Sequence, residues 1–351
     1  MNKPADQEMQ QVRKSYYNKI SADNLTPLWE ILHALVTPTP IIKGKPAHWD
    51  YSVLRKHLME AGTLITAEEA IRRVLILENP EFRGDSKITN SLYAGLQLIL
   101  PGEVAPSHRH SQSALRFIIE GSGAYTAVDG EKTIMHPGDF IITPAWTWHD
   151  HGSEVNEPVI WLDGLDIELV HFFGAGFAED LGKPMQDVSR PEGDALARYG
   201  SGLLPIDYKP KNLNSPVFNY PYTRTREALE TLRNAAEWDP WHGIKLKYVN
   251  PITGGWAMPS IATSMQLLPK DFKTLPYRST DATVYVVVEG SGKTVIGDQT
   301  FHWKAHDVFT IPNWTFHYHE VPEDAVLFSY SDRVVQEKIG IWREEKSPVS
   351  R

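Results

Sequence analysis

The chain changes texture at Ser91. Beyond it, short apolar stretches at 92–100, 115–120, 124–128, 139–143 and 159–162 alternate with Gly and Pro turns. Runs of that length between turn residues predict the strands of an all-β sandwich or barrel. The same texture returns over residues 260–330. The first 85 residues read instead as helices and loops. Thr26-Pro27 offers an N-cap followed by Pro at the first helical position. Residues 28–36 continue with an apolar face until Thr37-Pro38-Thr39-Pro40 ends it. Thr66-Ala67-Glu68-Glu69 is a capping-box pattern and predicts a second helix through Leu75. Residues 181–222 carry Pro184, Pro191, Pro205, Pro210, Pro216 and Pro221, the signature of a linker, and a short helix is expected over 225–237.

The two β regions repeat each other. Glu120-Gly121-Ser122-Gly123 recurs as Glu289-Gly290-Ser291-Gly292. The block from Asp139 through Pro144, Trp146 and His149 to His151 recurs from Asp307 through Pro312, Trp314 and His317 to His319. Two matches in the same order, 169 and 168 residues apart, predict a duplicated barrel. The expected organisation is an N-terminal helical arm (1–85), a first barrel (86–180), a linker with a short helix (181–240) and a second, degenerate barrel (241–351). A chain of 351 residues exceeds what one ordinary core absorbs, which agrees with two barrels.

Composition narrows the chemistry. Lys and Arg number 35 against 44 Asp and Glu, a net charge of −9, which argues against a nucleic-acid partner. There is no cysteine, so any metal must be held by His, Asp or Glu. Residues 1–13 contain no apolar signal-like run, and no stretch approaches the roughly 20 apolar residues of a membrane span, so a cytoplasmic protein without membrane contact is expected.

Five of the 14 histidines fall between His108 and His151. His108 and His110 are two apart and share one face of a strand. His149 follows 41 residues later, beyond Gly138-Asp139 and Pro144. If the barrel closes, its strand can neighbour the first and the three imidazoles converge. Three neutral ligands suit Fe, Zn, Cu or Ni and leave coordination positions open. An unbroken strand would place Arg116, eight residues beyond His108, on the same face. An inward arginine is costly unless it meets an anion, so a carboxylate substrate is one reading and a structural ion pair the other. In the second copy the positions matching His108 and His110 fall among Pro276, Tyr277, Arg278 and Ser279, only His317 survives, and that copy reads as structural. A second metal on His302, His306, His317 and His319 is the competing reading.

The His-x-His pair, the following Gly, and Pro-Gly-Asp…Pro…Trp-x-x-His resemble the two cupin motifs. The resemblance implies a mainly β bicupin of two antiparallel jelly-roll barrels with an N-terminal helical arm. The usual cupin glutamate ligand is absent, since Ala114 and Leu115 stand at those positions. Ser107 through Gly121 (SHRHSQSALRFIIEG), with Thr26-Pro27-Leu28-Trp29-Glu30 and Thr37-Pro38-Thr39-Pro40, is similar to the gentisate 1,2-dioxygenase family, along residues 25–335. That family includes salicylate and 1-hydroxy-2-naphthoate ring-cleaving relatives. The resemblance implies Fe(II), one per subunit in the first barrel, on His108, His110 and His149. It implies that gentisate and O2 give maleylpyruvate, in a homotetramer.

By the same resemblance Arg116 would hold the substrate carboxylate, helped by Arg72, although neighbouring Arg73 leaves that register open. Gln97 and His151 would line the pocket. Asp163 would act with His151 as an acid/base partner at the ring hydroxyl. Tyr93 and Gly95 share parity with Gln97. Bland roles stand beside these: a core histidine at His151, an Asx turn at Asp163 before Gly164, an internal hydrogen bonder at Gln97. A redox-inactive Zn or Mn cupin and a non-catalytic ligand-binding cupin are the rival functions.

Overall fold

The computed structural model describes residues 3–235 and 237–348. The extreme ends of the expected arm and second barrel, and residue 236 of the expected 225–237 helix, lie outside them. Two compact units divide at Ile41. The first contains helices Lys3–Ala22 and Leu28–Leu35, with the Tyr17 hydroxyl donating to Glu30 at 2.5 Å and Trp29 Nε1 donating to Tyr17 at 3.0 Å. The cap expected at Thr26 is not made: Pro27 takes the N-cap position, without a side-chain bond. Within this unit the apolar side chains of the second helix stay exposed, Trp29 by 64% and Leu35 by 63%.

The second unit is built from antiparallel sheets. One six-stranded sheet runs Asn219–Tyr220, Phe140–Thr143, Ala114–Glu120, Val159–Leu165, Tyr93–Ile99, Val74–Ile76. A five-stranded sheet runs Ala178–Asp180, Val104–His110, His149–Ser153, Ala124–Val128, Glu131–Ile134. Together they form the first barrel. The second barrel repeats the plan with a six-stranded sheet centred on Thr283–Glu289 and Ala325–Ser331 and a five-stranded sheet centred on Ser291–Ile296 and His317–Glu320. The architecture is the mainly β bicupin expected.

The duplication is visible at the level of single bonds. Asp139 accepts from the backbone N–H of His136 at 3.1 Å and of Tyr222 at 2.8 Å; Asp307 accepts from Lys304 at 3.1 Å and Tyr51 at 2.9 Å. Arg109 lies 4.5 Å over both Trp146 and Trp148, and Arg278 lies 4.5 Å over Trp314 and 4.3 Å over Phe316. Trp146 and Trp314 each adopt a positive φ, 57° and 53°, and donate their N–H to His110 O and Ser279 O. Tyr277 and Ser279 therefore occupy the places of His108 and His110. The inner sheets of the two barrels meet through aromatic rings, Phe117 stacking on Phe328 at 4.2 Å, and the buried core is continuous across them.

Four expectations are corrected. The capping box at Thr66 forms, but its helix is only Ala67–Ala70. Ile71 closes it at φ 57°, and Val74–Ile76 is an edge strand on Tyr93–Ile99. Ala47–Trp49 is likewise a strand, on Val308–Ile311, so the region before 85 is not helix and loop alone. The 181–222 stretch contains a helix, Asp194–Tyr199, and a short strand, Asn219–Tyr220, besides turns. The helix expected over 225–237 starts earlier and runs Tyr222–Ala235.

Candidate active site and metal centre

His108 and His149 are direct cross-strand partners, the closure on which convergence depended. The ring centroids of His108, His110 and His149 lie 4.2 to 5.2 Å apart, and one nitrogen from each falls within 4.8 Å of the others. It is the one such cluster among the described residues, so His302, His306, His317 and His319 do not form a second. His110 Nδ1 lies 2.8 Å from Gln112 O, and His149 Nδ1 lies 2.9 Å from Thr147 O. A carbonyl there holds the ring proton on Nδ1 and leaves Nε2 as a lone-pair donor. His149 Nε2 is buried without a hydrogen-bond partner, as expected of a ligand atom whose partner is an ion. Burial first, then the neighbouring arginines and histidines, presses the imidazole pKa values down, to about 3 at His108 and about 4 at His110 and well below normal at His149. All three are neutral at pH 7, the form that binds metal. The donor set fits a metal ion.

Arg116 reaches this centre by a different route from the one its spacing suggested. The strand of His108 and His110 ends at His110, and Arg116 lies on the next strand, in the opposite sheet. Its side chain nevertheless points into the barrel, 4% exposed. Nη1 donates to Thr143 Oγ1, and Nε lies 3.4 Å from Asp163 Oδ1, on the paired strand. Asp163 also accepts from Trp161 Nε1 at 3.0 Å. Burial outweighs these partners and pushes its carboxyl up to about 6. The bland role of an Asx-turn residue does not apply, because Asp163 sits within the strand Val159–Leu165.

The ambiguity between Arg72 and Arg73 resolves on geometry. Arg73 turns away, pairing with Glu103 at 2.8 Å and with Ile65 O. Arg72 points to the histidines: Nη2 donates to Pro106 O at 2.6 Å and contacts His108 Nδ1. Burial and then Arg116 lower its pKa to about 10. Two guanidiniums thus converge beside the histidines, Arg116 paired with Asp163 and Arg72 under the charge of Asp163, Asp150 and Asp180.

His151 is fully buried, 5.9 Å from His149 and 5.5 Å from Trp161 between ring centroids, with both ring nitrogens unpartnered. Gln97 is 3% exposed and pairs across from Trp161 on the adjacent strand. Tyr93 and Gly95 lie on the same strand, and Gly95 is required there: a Cβ would stand 2.5 Å from Val74 Cγ1 and 2.7 Å from the Tyr93 hydroxyl. Sequence reasoning missed Thr143 and Trp161, which hold Arg116 and Asp163. Thr143 does carry a signal, since the repeat replaces it with Ile311 where no arginine needs a partner.

The cupin domain model matches residues 95–165. Gentisate 1,2 dioxygenase 1 of Aquipseudomonas alcaligenes is 59% identical over 335 residues, 95% of this chain and 96% of that one. The chain belongs to the gentisate 1,2-dioxygenase family. Gentisate 1,2-dioxygenase of a Ralstonia species is 39% identical over 88% of this chain and 86% of its own. Among solved structures, salicylate 1,2-dioxygenase from Pseudoaminobacter salicylatoxidans in its gentisate adduct superposes with a TM-score of 0.89 at 30% identity, covering 99% of this chain and 96% of that one.

Proposed function

We propose that the chain is an Fe(II)-dependent ring-cleaving dioxygenase that converts gentisate and O2 to maleylpyruvate. The observation that carries the reading is a three-histidine cluster without an acidic fourth ligand, flanked by two arginines. Iron(II) held by His108, His110 and His149 would supply the redox chemistry that joins dioxygen to the ring. The bond between the carboxylated and the hydroxylated ring carbons breaks, and both oxygen atoms enter the product. A glutamate ligand would set negative charge against an anionic substrate; Ala114 and Leu115 set none.

The rest falls to the chain's own side chains. Arg116 is preorganised by Thr143 and Asp163 and offers its guanidinium to the substrate carboxylate. Arg72 adds a second cation beside His108. Asp163, with a pKa near 6, and the neutral His151 are placed to take and return the proton of the ring hydroxyl. Gln97 lines the wall of the pocket. The exposed apolar helix Leu28–Leu35, and Phe172, Phe173 and Phe177 at 69 to 82% exposure, support assembly, which we assign as a homotetramer in the cytoplasm.

Salicylate and 1-hydroxy-2-naphthoate are the alternative substrates, named by relatives that match at 30% to 34% identity. Comparing kcat/KM for the three acids with iron(II)-loaded protein separates them: gentisate should lead by at least an order of magnitude. Turnover with zinc in place of iron would contradict the redox role.

A further inference from the structure

The second barrel is not filled in where its histidine pair was lost. A cavity of about 350 Å3 lies there, lined among others by Lys245, Tyr277, Tyr285, His317 and Ser329. All of these but Lys245 occupy the place of a first-barrel site residue. Tyr277 replaces His108 across from His317, which keeps the place of His149. Tyr285 pairs with Ser329 as Arg116 pairs with Asp163. The arginine and its carboxylate are gone, yet a cation has been restored from elsewhere. Lys245, on the strand Ile244–Lys247, brings Nζ to 3.3 Å from the Tyr285 hydroxyl and 5.4 Å from its ring centre.

Lys245 has no carboxylate partner among the described residues. The two acids of the cavity are committed elsewhere: Asp281 accepts from Trp342 Nε1 at 2.8 Å, and Glu337 accepts from Trp256 Nε1 and Arg333 Nε, both at 2.7 Å. Ser264 and Ser329 share a hydroxyl bond at 2.8 Å on the same wall. Trp256, Tyr277, Tyr285 and Tyr330 supply the aromatic part of a mixed lining, and Tyr285 is braced from behind by Phe309, stacked at 4.9 Å. Lys245 and Lys247, neither with a carboxylate partner among the described residues, stand among rings and hydroxyls, Lys247 5.5 Å over Trp256, which suits an anion with a flat apolar body.

We propose that the second barrel is a metal-free binding site for a small aromatic carboxylate, its carboxylate on Lys245 and the Tyr285 hydroxyl and its ring against Tyr277 and Tyr285. The site makes no use of the first barrel's reaction.

Calorimetric titration of the iron(II)-loaded, oxygen-free protein with benzoate counts the sites. Two equivalents per chain are expected. K245M should weaken one of them at least tenfold and leave kcat/KM for gentisate unchanged, which also certifies its fold. K245R should retain both, and R116A should keep the Lys245-dependent one. A single equivalent that K245M abolishes would count against carboxylate binding at Arg116 instead; no binding to the wild-type protein, or a single equivalent that K245M leaves intact, overturns the proposal. So does a second equivalent indifferent to K245M, or a site that takes inorganic phosphate and refuses benzoate. Failure of the dioxygenase reading would appear in oxygen uptake and leave the Lys245-dependent equivalent untouched.

Discussion

Replacing Arg116 with methionine removes the guanidinium while keeping an apolar stem of similar length. Two consequences can be separated. The first concerns substrate. A buried cation that pairs with a desolvated carboxylate contributes about 2–4 kcal/mol to transition-state binding. At about 1.4 kcal/mol per decade, kcat/KM for gentisate should fall about 30- to 700-fold. The second concerns the fold, because Asp163 is only 7% exposed and loses its ion-pair partner. Leaving a buried carboxylate unpaired destabilises and drives its pKa higher still. The double variant R116M/D163N removes that structural penalty, and comparing it with D163N alone, itself slow, isolates the substrate effect. Competitive inhibition of oxygen uptake gives the readout: wild-type protein should prefer benzoate over benzamide, and both R116M and the double variant should lose that preference. If R116M keeps the preference, or the double variant matches D163N in kcat/KM, Arg116 is a structural ion-pair residue and the carboxylate role is wrong.

Three further outcomes are expected. H149A should lose bound metal and oxygen uptake together while circular dichroism stays native; retention of one iron per chain would remove His149 from the ligand set. The Asp163 carboxyl is raised to about 6, so it is protonated below that pH and ionised above it. If its ionised form accepts the substrate proton, kcat/KM should fall on the acid side of about pH 6, and D163N should be slow and lack that limb; an unchanged acid limb in D163N assigns it to another group. G95A forces a methyl into 2.5 Å of Val74 Cγ1 and should cost about 1–3 kcal/mol with a lowered Tm, where an unchanged Tm would show that the edge strand yields freely.

Local chemistry was legible wherever it depended on spacing along one strand or on a repeat. The His-x-His pair, the distant His149 and the duplicated turn blocks all act through patterns of a few residues, and the structure brings them together as the patterns imply. What failed was continuity. Arg116 was placed by parity along a strand that in fact breaks between His110 and Ala114, and it reaches the barrel interior from the opposite sheet. Ile71, Val74 and Leu75 fit helical spacing after a genuine capping box, yet Ile71 turns left-handed and the chain leaves as a strand. Pairing with Tyr93–Ile99 overrides the local preference there, and it is this turn that aims Arg72 at the histidines while Arg73 goes to Glu103. Thr143 and Trp161 position Arg116 and Asp163 through contacts between strands, which spacing along one strand does not encode. Lys245 has no counterpart in the repeated motifs at all. Its meaning appears only once Tyr285 is seen to stand where Arg116 does.

The most direct test is the stoichiometry of oxygen use. Iron(II)-loaded protein, prepared without air, is mixed with gentisate under 18O2 and the product is analysed by mass. One O2 consumed per gentisate, with both labelled atoms in maleylpyruvate, is the result this account predicts. Bound iron with no oxygen uptake, or a product carrying label in neither atom, would contradict it and leave the histidine cluster as a site for redox-inactive metal chemistry.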